Sequence, residues 1–343
     1  MTIPDRQQAM VMNGPGAAVQ ALERPVEQPG PGQVLVKVKA TSLNFHDNVN
    51  LMGLIPGPLP RVPMSDGAGE VVAVGPGSDE IQDGLRIGQR VMGAFHPGWL
   101  DGPPTPRAKR ELPGDSGDGW LQQYRIADAT GVVRTPDHLS DVEAATIPCA
   151  AVTAWSALVE ANIGNGDIVV AQGTGGVSLF AVQLARALGA TVILTSSSDD
   201  KLKVGSDLGA THLINYRTTP EWETEVKRLT GGRGADLIVE VGGPATLAQS
   251  IRSVRMGGTV AVIGVLSGFE MAPTPIPELM LNNLRVIGIT VGSVRAHREV
   301  CELISSAGIK PYISHVFDWE KLEEALQVMR AGEHIGKIAL TVP

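Results

Sequence analysis

The sequence predicts an α/β chain in which a doubly wound, mostly parallel sheet is joined to a smaller β-rich part. Three observations carry that expectation. Short apolar runs separated by Gly/Pro turns fill the first third, strand-like and helix-like runs alternate from Asp167 onward, and a glycine turn stands at the first strand–helix junction. A length of 343 residues agrees with about two domains.

In the first third, Val34, Val36 and Val38 alternate with Leu35, Lys37 and Lys39 behind the turn Pro29-Gly30-Pro31-Gly32, the period of a half-buried strand. Residues 70–74 form a second strand closed by Gly75-Pro76-Gly77, and residues 90–92 a third after Gly88. This spacing predicts a small barrel or sandwich. Residues 96–119 are dense in Pro, Gly and charge and lack apolar periodicity, so they read equally as a substrate lid or as a mobile surface excursion.

Beyond Asp167, strands are expected at 168–171, 191–194, 212–214, 237–241, 259–263 and 285–291. Between the first two, Val177, Phe180, Ala181, Leu184, Ala185 and Leu188 recur at helical spacing until Gly189 stops the helix. Further helices are expected at 199–208, capped by Ser198 or Asp199, at 221–229 and at 245–254. Right-handed crossovers between six such strands give a parallel sheet.

Composition narrows the function. Hydrophobic residues at 43% and charged residues at 19% describe a globular chain, and a net charge of −8 argues against a general grip on nucleic acid or anionic membranes. Five Trp, three Tyr and five Phe offer little stacking surface for single strands. Cys149 and Cys301 allow one bridge at most, residues 1–8 show no apolar leader core, and no run reaches the length of a membrane span. A cytoplasmic protein acting on a small molecule is expected, without nucleic acid or membrane as partner.

Gly173-Thr174-Gly175-Gly176-Val177-Ser178 lies between a strand and an amphipathic helix, a G-x-G-x-x-S variant of the dinucleotide fingerprint. Its glycines allow a tight turn and bring backbone N–H groups to a pyrophosphate, the mark of a Rossmann unit. An NAD site expects a carboxylate about 20 residues later. Here the second strand ends Leu194-Thr195-Ser196-Ser197-Ser198, whose hydroxyls suit a 2′-phosphate, and Lys201 adds charge one turn into the next helix. Asp199 and Asp200 sit where a helix start favours acids for its own stability. NADP is therefore expected over NAD.

Several motifs resemble the medium-chain dehydrogenase/reductase superfamily. They are the strand at 34–40, Ser42-Leu43-Asn44-Phe45-His46-Asp47, Gly67-Ala68-Gly69-Glu70-Val71-Val72, Ala171-Gln172 with the glycine turn, His212-Leu213-Ile214-Asn215-Tyr216-Arg217, and His334-Ile335-Gly336-Lys337. Together they are most similar to the zinc-independent branch of NADPH:quinone oxidoreductases and zeta-crystallin. The resemblance implies a GroES-like β-barrel catalytic domain at 1–153 and 294–343, a Rossmann domain at 154–293, and a homodimer paired through strand 285–291. It implies that Lys201 and Tyr216 touch the 2′-phosphate, that Thr153, Gly264 and Val265 approach the nicotinamide, and that Lys337 lies by the pyrophosphate.

The positions at which zinc-dependent relatives hold their catalytic metal match Asn44, Ser65 and Cys149, a poor donor set for zinc. Two cysteines also cannot build a four-cysteine structural site. No zinc is expected, and Cys149 reads as a small buried packing residue. Without a Lewis acid, conjugated acceptors suit the site: hydride added to a quinone or enone leaves a delocalised anion that needs hydrogen bonds and a proton. Asn44 is the candidate for holding the nicotinamide ribose or the substrate oxygen, His46 for donating the proton, and Asp47 for a structural hydrogen-bond partner. The alternatives are a zinc-free NAD(P)-dependent alcohol dehydrogenase or ketone reductase, and an NADPH-binding protein with secondary redox activity.

Overall fold

The computed structural model describes residues 3–78, 81, 84–270 and 273–343. Met1 and Thr2, the start of the segment read as lacking a leader core, lie outside the described residues. The chain divides into two compact units, Met1–Val152 with Gly292–Pro343, and Thr153–Val291.

Thr153–Val291 contains a six-stranded parallel sheet. Its spatial order is His212–Asn215, Thr191–Ser196, Ile168–Gln172, Ala235–Glu240, Val254–Val262 and Arg285–Gly288. Val169, Val170, Ala171, Leu237, Ile238 and Val239 are fully buried, because helices cover both faces of a parallel sheet. The strand order reverses between Ile168–Gln172 and Ala235–Glu240, the switch point at which carboxyl ends of strands open to a ligand. The last strand stops at Gly288, short of the expected Val291, whose φ of 60° leaves the extended region. The fifth begins earlier than expected, at Val254, directly after helix Pro244–Ser253.

The other unit holds a seven-stranded mixed sheet. Its order is Ile313–Asp318, Lys337–Thr341, Gln33–Ser42, Ala68–Val74, Arg90–Gly93 and Val132–Arg134, and Tyr124–Asp128 also pairs with Gln33–Ser42. A hairpin of Arg6–Val11 and Gln20–Pro25 adds a second small sheet that the polar text of these segments did not predict. Trp120 is fully buried in the core of this unit. Gly67 and Gly93 make room for it: a Cβ would stand 2.3 Å from the indole at the first and 1.9 Å at the second.

Residues 96–119 are hydrogen-bonded to that unit near both ends. Val62 N–H donates to Asp118 Oδ1 (2.8 Å), and Arg24 Nη1 donates to Asp118 Oδ2 (2.6 Å). Val294 N–H and Arg295 N–H donate to the carbonyls of Trp99 (2.8 Å) and Leu100 (3.0 Å). A further correction concerns membrane spans. The helical stretch Asp141–Glu160 is long and apolar enough to cross a bilayer by length and composition, yet most of it is buried, as in a core helix.

Candidate active site

Helix Phe45–Leu51 starts at Asn44, and Asp47 holds the start in place. Asp47 Oδ2 accepts from Asn44 N–H (2.9 Å) and Oδ1 from Ser65 N–H (2.8 Å), so one carboxylate fastens two backbone segments. Asn44 Nδ2 donates to Ser65 Oγ (3.2 Å) and Asp66 Oδ2 (2.9 Å), which engages both amide hydrogens. Lys337 Nζ donates to Asn44 Oδ1 (2.5 Å) and to the Leu43 carbonyl (2.8 Å), and lies 3.6 Å from Asp66 Oδ2. Ser42 Oγ stands 3.1 Å from the same Asp66 oxygen.

The cluster encloses Lys337 within its own unit. Its ammonium is almost wholly buried and engaged by Leu43, Asn44 and Asp66, because a buried cation must be paired and hydrogen-bonded within reach. The Asn44 side chain also accepts from the Asp47 backbone in a capping box at the helix start, so the amide is engaged at both its oxygen and its nitrogen. Burial, partly offset by Lys337 and reinforced by Asp47, pushes the Asp66 carboxyl up to about 6. Burial also raises Asp47, against the His46 charge and its hydrogen bonds.

His46 projects from the first turn of the same helix, with 29% of its side chain exposed. Its Nε2 lies 2.8 Å from Asp115 Oδ2, and Phe95 stands edge-on to the ring at 5.5 Å. Asn50 Nδ2 donates to the other Asp115 oxygen and to the Gly114 carbonyl (3.0 Å), while Arg61 Nη2 donates to Asn50 Oδ1 (2.8 Å). Burial alone lowers the His46 pKa, but the Asp115 hydrogen bond and the charges of Asp47, Asp115 and Asp66 outweigh it and hold the pKa above the ordinary imidazole value.

Asn44 and Ser65, two of the three positions matched to zinc ligands, are joined by a hydrogen bond, and a lysine ammonium donates to the amide oxygen a metal would need. That donor set does not fit zinc. Among the described residues no group of three His, Cys, Asp or Glu side chains is placed to hold a metal ion. Cys149 is half-buried in the π-helical turn Ile147–Ala151, not buried as expected.

In the other unit the glycine turn forms as read. Gly173 has φ +71°, and a Cβ at Gly173 or Gly175 would meet no atom within 4 Å, so the turn leaves open room for a pyrophosphate at the start of helix Gly176–Ala187. Gly173 N–H donates to Thr195 O (2.7 Å), and Ser178 Oγ donates back to Gln172 O (2.6 Å), which suits a small residue at the third fingerprint position. Thr174 is buried, whereas Gly176 and Val177 are half-buried in the first helical turn. These residues fit a dinucleotide.

Tyr216 N–H donates to Ser196 O (3.0 Å), which brings two predicted phosphate-site residues together; Tyr216 is 41% exposed and the Ser196 side chain is buried. Lys201 is half-buried in helix Asp199–Asp207, and Asp199 Oδ1 accepts from Asn215 Nδ2 (2.7 Å), a local structural engagement. Thr153 is buried at the start of this unit. Gly264 and Val265 follow the fifth strand, Gly264 N–H donates to Glu240 O (3.2 Å), and a Cβ on Gly243 would stand 2.9 Å from Val265.

A residue the sequence reading passed over organises these turns. Glu240, fully buried, accepts from Gln172 Nε2 (2.8 Å), Gly243 N–H (2.8 Å), Thr246 Oγ1 (2.6 Å) and Ser250 Oγ. Ser42, Asp66, Asn50, Arg61 and Asp115 were also missed. Ser42 opens the motif at 42–47 and Asp66 adjoins the glycine motif at 67–69, so both carried a local signal; Asn50, Arg61 and Asp115 had none.

A Rossmann sheet with an open glycine turn, carried by the same chain as a mixed-sheet unit with a buried polar cluster, defines a pyridine-nucleotide-dependent oxidoreductase. Residues 30–137 match the alcohol dehydrogenase GroES-like domain, and residues 176–306 match the zinc-binding dehydrogenase family. A zinc-type alcohol dehydrogenase-like protein of Schizosaccharomyces pombe is 42% identical over 320 residues, 91% of each chain. A solved NAD-dependent alcohol dehydrogenase superposes with a TM-score of 0.88 at 30% identity, over 98% of this chain and all of that one. A thermostable alcohol dehydrogenase from Pyrobaculum aerophilum gives a TM-score of 0.84 at 26% identity, with 98% of this chain and 100% of that chain covered. The chain belongs to the medium-chain dehydrogenase/reductase superfamily and is an NAD(P)-dependent oxidoreductase of the alcohol dehydrogenase-like type.

Proposed function

We propose that this protein is a zinc-independent, NADPH-dependent reductase of quinones or α,β-unsaturated carbonyls. One observation carries the reading: Asn44 and Ser65, two of the three positions matched to zinc ligands, are tied with Asp66 and Lys337 into one hydrogen-bonded cluster. A site without a Lewis acid is poorly equipped to polarise a simple ketone, whereas a conjugated acceptor spreads the charge that hydride addition creates. When bound, NADPH supplies that hydride. The chain's own part is to hold the acceptor oxygen, for which Asn44 is the candidate, and to deliver one proton, for which His46 is the candidate. The imidazolium gives up Nδ1–H and is reprotonated from solvent.

The alternative of an alcohol dehydrogenase or ketone reductase draws support from the relatives named above, all alcohol dehydrogenases by name. NADPH and NADH oxidation against quinones, enones, ketones and aldehydes, with metal analysis of the same sample, separates the two. Turnover of quinones or enones without bound zinc is the expected result. Stoichiometric zinc, or turnover confined to simple ketones and alcohols, overturns the proposal.

The preference for NADPH rests on Ser196, Lys201 and Tyr216 and on the absence of an acid at the end of strand Thr191–Ser196, although one neighbour is named NAD-dependent. Lys201→Ala is expected to raise the KM for NADPH about tenfold and leave that for NADH unchanged, the worth of about one charge-assisted contact. Equal effects on both nucleotides would remove the phosphate role. We further propose a cytoplasmic homodimer paired through Arg285–Gly288. That strand is the free edge of the parallel sheet, and exposed Val286, Ile276, Met280 and Leu281 lie on it or on the preceding helix. A monomeric sedimentation mass would exclude the pairing, and recovery in a membrane or secreted fraction of the native cell would exclude the compartment.

A further inference from the structure

The 96–119 loop brings one carboxylate, that of Asp115, to His46. Asp115 Oδ2 lies 2.8 Å from His46 Nε2, and the pair is half-screened from water, with 29% of the histidine side chain and 15% of the aspartate side chain exposed. The aspartate is itself held: Asn50 Nδ2 donates to its second oxygen, and Asn50 is braced through its carbonyl by the buried Arg61 guanidinium. Four side chains thus form one relay, Arg61–Asn50–Asp115–His46, whose last member is the most exposed. Among the described residues no protein group bonds His46 Nδ1.

We propose that Asp115 is a positioning residue for the reaction: it accepts the Nε2–H of His46 and thereby makes Nδ1 the atom that gives the proton to the reduced substrate. The inference rests on the reading of His46 as proton donor. Its chemistry follows from the carboxylate, which has only acceptor capacity and so admits only the tautomer protonated at Nε2 when the ring is neutral. The ring then takes up its transferable proton at Nδ1. Loss of that proton to the substrate anion breaks the Nδ1–H bond and forms the new C–H or O–H bond, while the Nε2 hydrogen bond persists. The same logic orders the histidine of a Ser-His-Asp triad, where the carboxylate sets tautomer and ring angle without exchanging the proton itself.

Charged and titratable groups reach His46 from several elements. Asp47 lies on its own helix, Asp66 precedes the strand at 68–74, Asp115 comes from the loop, and His96 opposes a second positive charge. The three carboxylates favour the imidazolium. Because the donor is the protonated form, activity is lost as pH rises through the His46 pKa, and removal of the Asp115 charge moves that loss to lower pH.

The test compares His46→Gln, Asp115→Asn and the double variant in NADPH oxidation with a quinone or enone substrate, across pH. Each single variant is expected to lower kcat by about tenfold to a hundredfold with an unchanged KM for NADPH. The double variant should lose no more than His46→Gln alone, because both act through one proton. In Asp115→Asn, the alkaline limb of the kcat profile moves to lower pH. If His46→Gln retains full turnover, the proton-donor reading itself fails. If His46→Gln loses turnover while Asp115→Asn keeps the wild-type rate and pH profile, the Asp115 proposal alone fails. Nitrogen chemical shifts of the His46 ring in the unaltered protein provide a check that needs no variant. The neutral ring should carry its proton on Nε2, and a proton on Nδ1 overturns the proposal.

Discussion

Lys337→Met is expected to destabilise the protein by about 3–5 kcal/mol, the cost of stripping one partner from a buried ion pair. Its loss leaves Asp66 as a carboxylate with no cation beside it, and leaves Asn44 Oδ1 and the Leu43 carbonyl without their donor. Asp66 is fully buried and its Oδ1 lacks a protein hydrogen bond, so only Ser42 and Asn44, both on Oδ2, remain beside it. A melting temperature lower by about 10 °C is the expected reading. The double variant Lys337→Met/Asp66→Asn should recover part of the loss, because both charges leave the core together. A single variant within about 1 kcal/mol of the parent would show that the cluster is looser than its distances imply.

Glu240→Ala is the second large effect, expected at about 3–5 kcal/mol together with roughly tenfold weaker NADPH binding. The carboxylate gathers donors from Gln172 at the end of one strand, Gly243 after its neighbour, and Thr246 and Ser250 on the following helix, so its removal takes the shared acceptor from all four. Gln172 immediately precedes the glycine turn, and Gly243 packs on the Gly264-Val265 segment. Slack at one carboxylate is thereby passed to two proposed cofactor contacts. Glu240→Gln should fall between parent and alanine, since it keeps one acceptor oxygen and turns the other into a donor facing donors. Thermal unfolding and NADPH fluorescence titration measure the two components. Unchanged nucleotide affinity in a destabilised Glu240→Ala would confine the residue to folding.

The parallel sheet was legible because its signals are local. Apolar runs at strand length, a helical stripe from Val177 to Leu188 and a glycine turn between them each occupy one window of sequence. The hairpin Arg6–Val11/Gln20–Pro25 was not, since the second strand is largely exposed and carries little alternation to read. The last strand was read too long because Ile289 and Val291 continue the apolar run after the backbone has left the sheet.

The site divides in the same way. The identities Asn44, Ser65 and His46 and the scarcity of cysteine stand in the sequence, and they already speak against a thiolate–imidazole metal site. Where Lys337 and Asp115 go could be known only from the closed chain. The Lys337–Asn44 bond joins residues 293 positions apart, and the Asp115–His46 contact joins residues 69 apart. Local pattern records which face of a strand or helix is apolar. It carries no record of which distant charge must be answered once burial removes water from both, and that desolvation cost is what draws the lysine into the Asn44–Asp66 cluster.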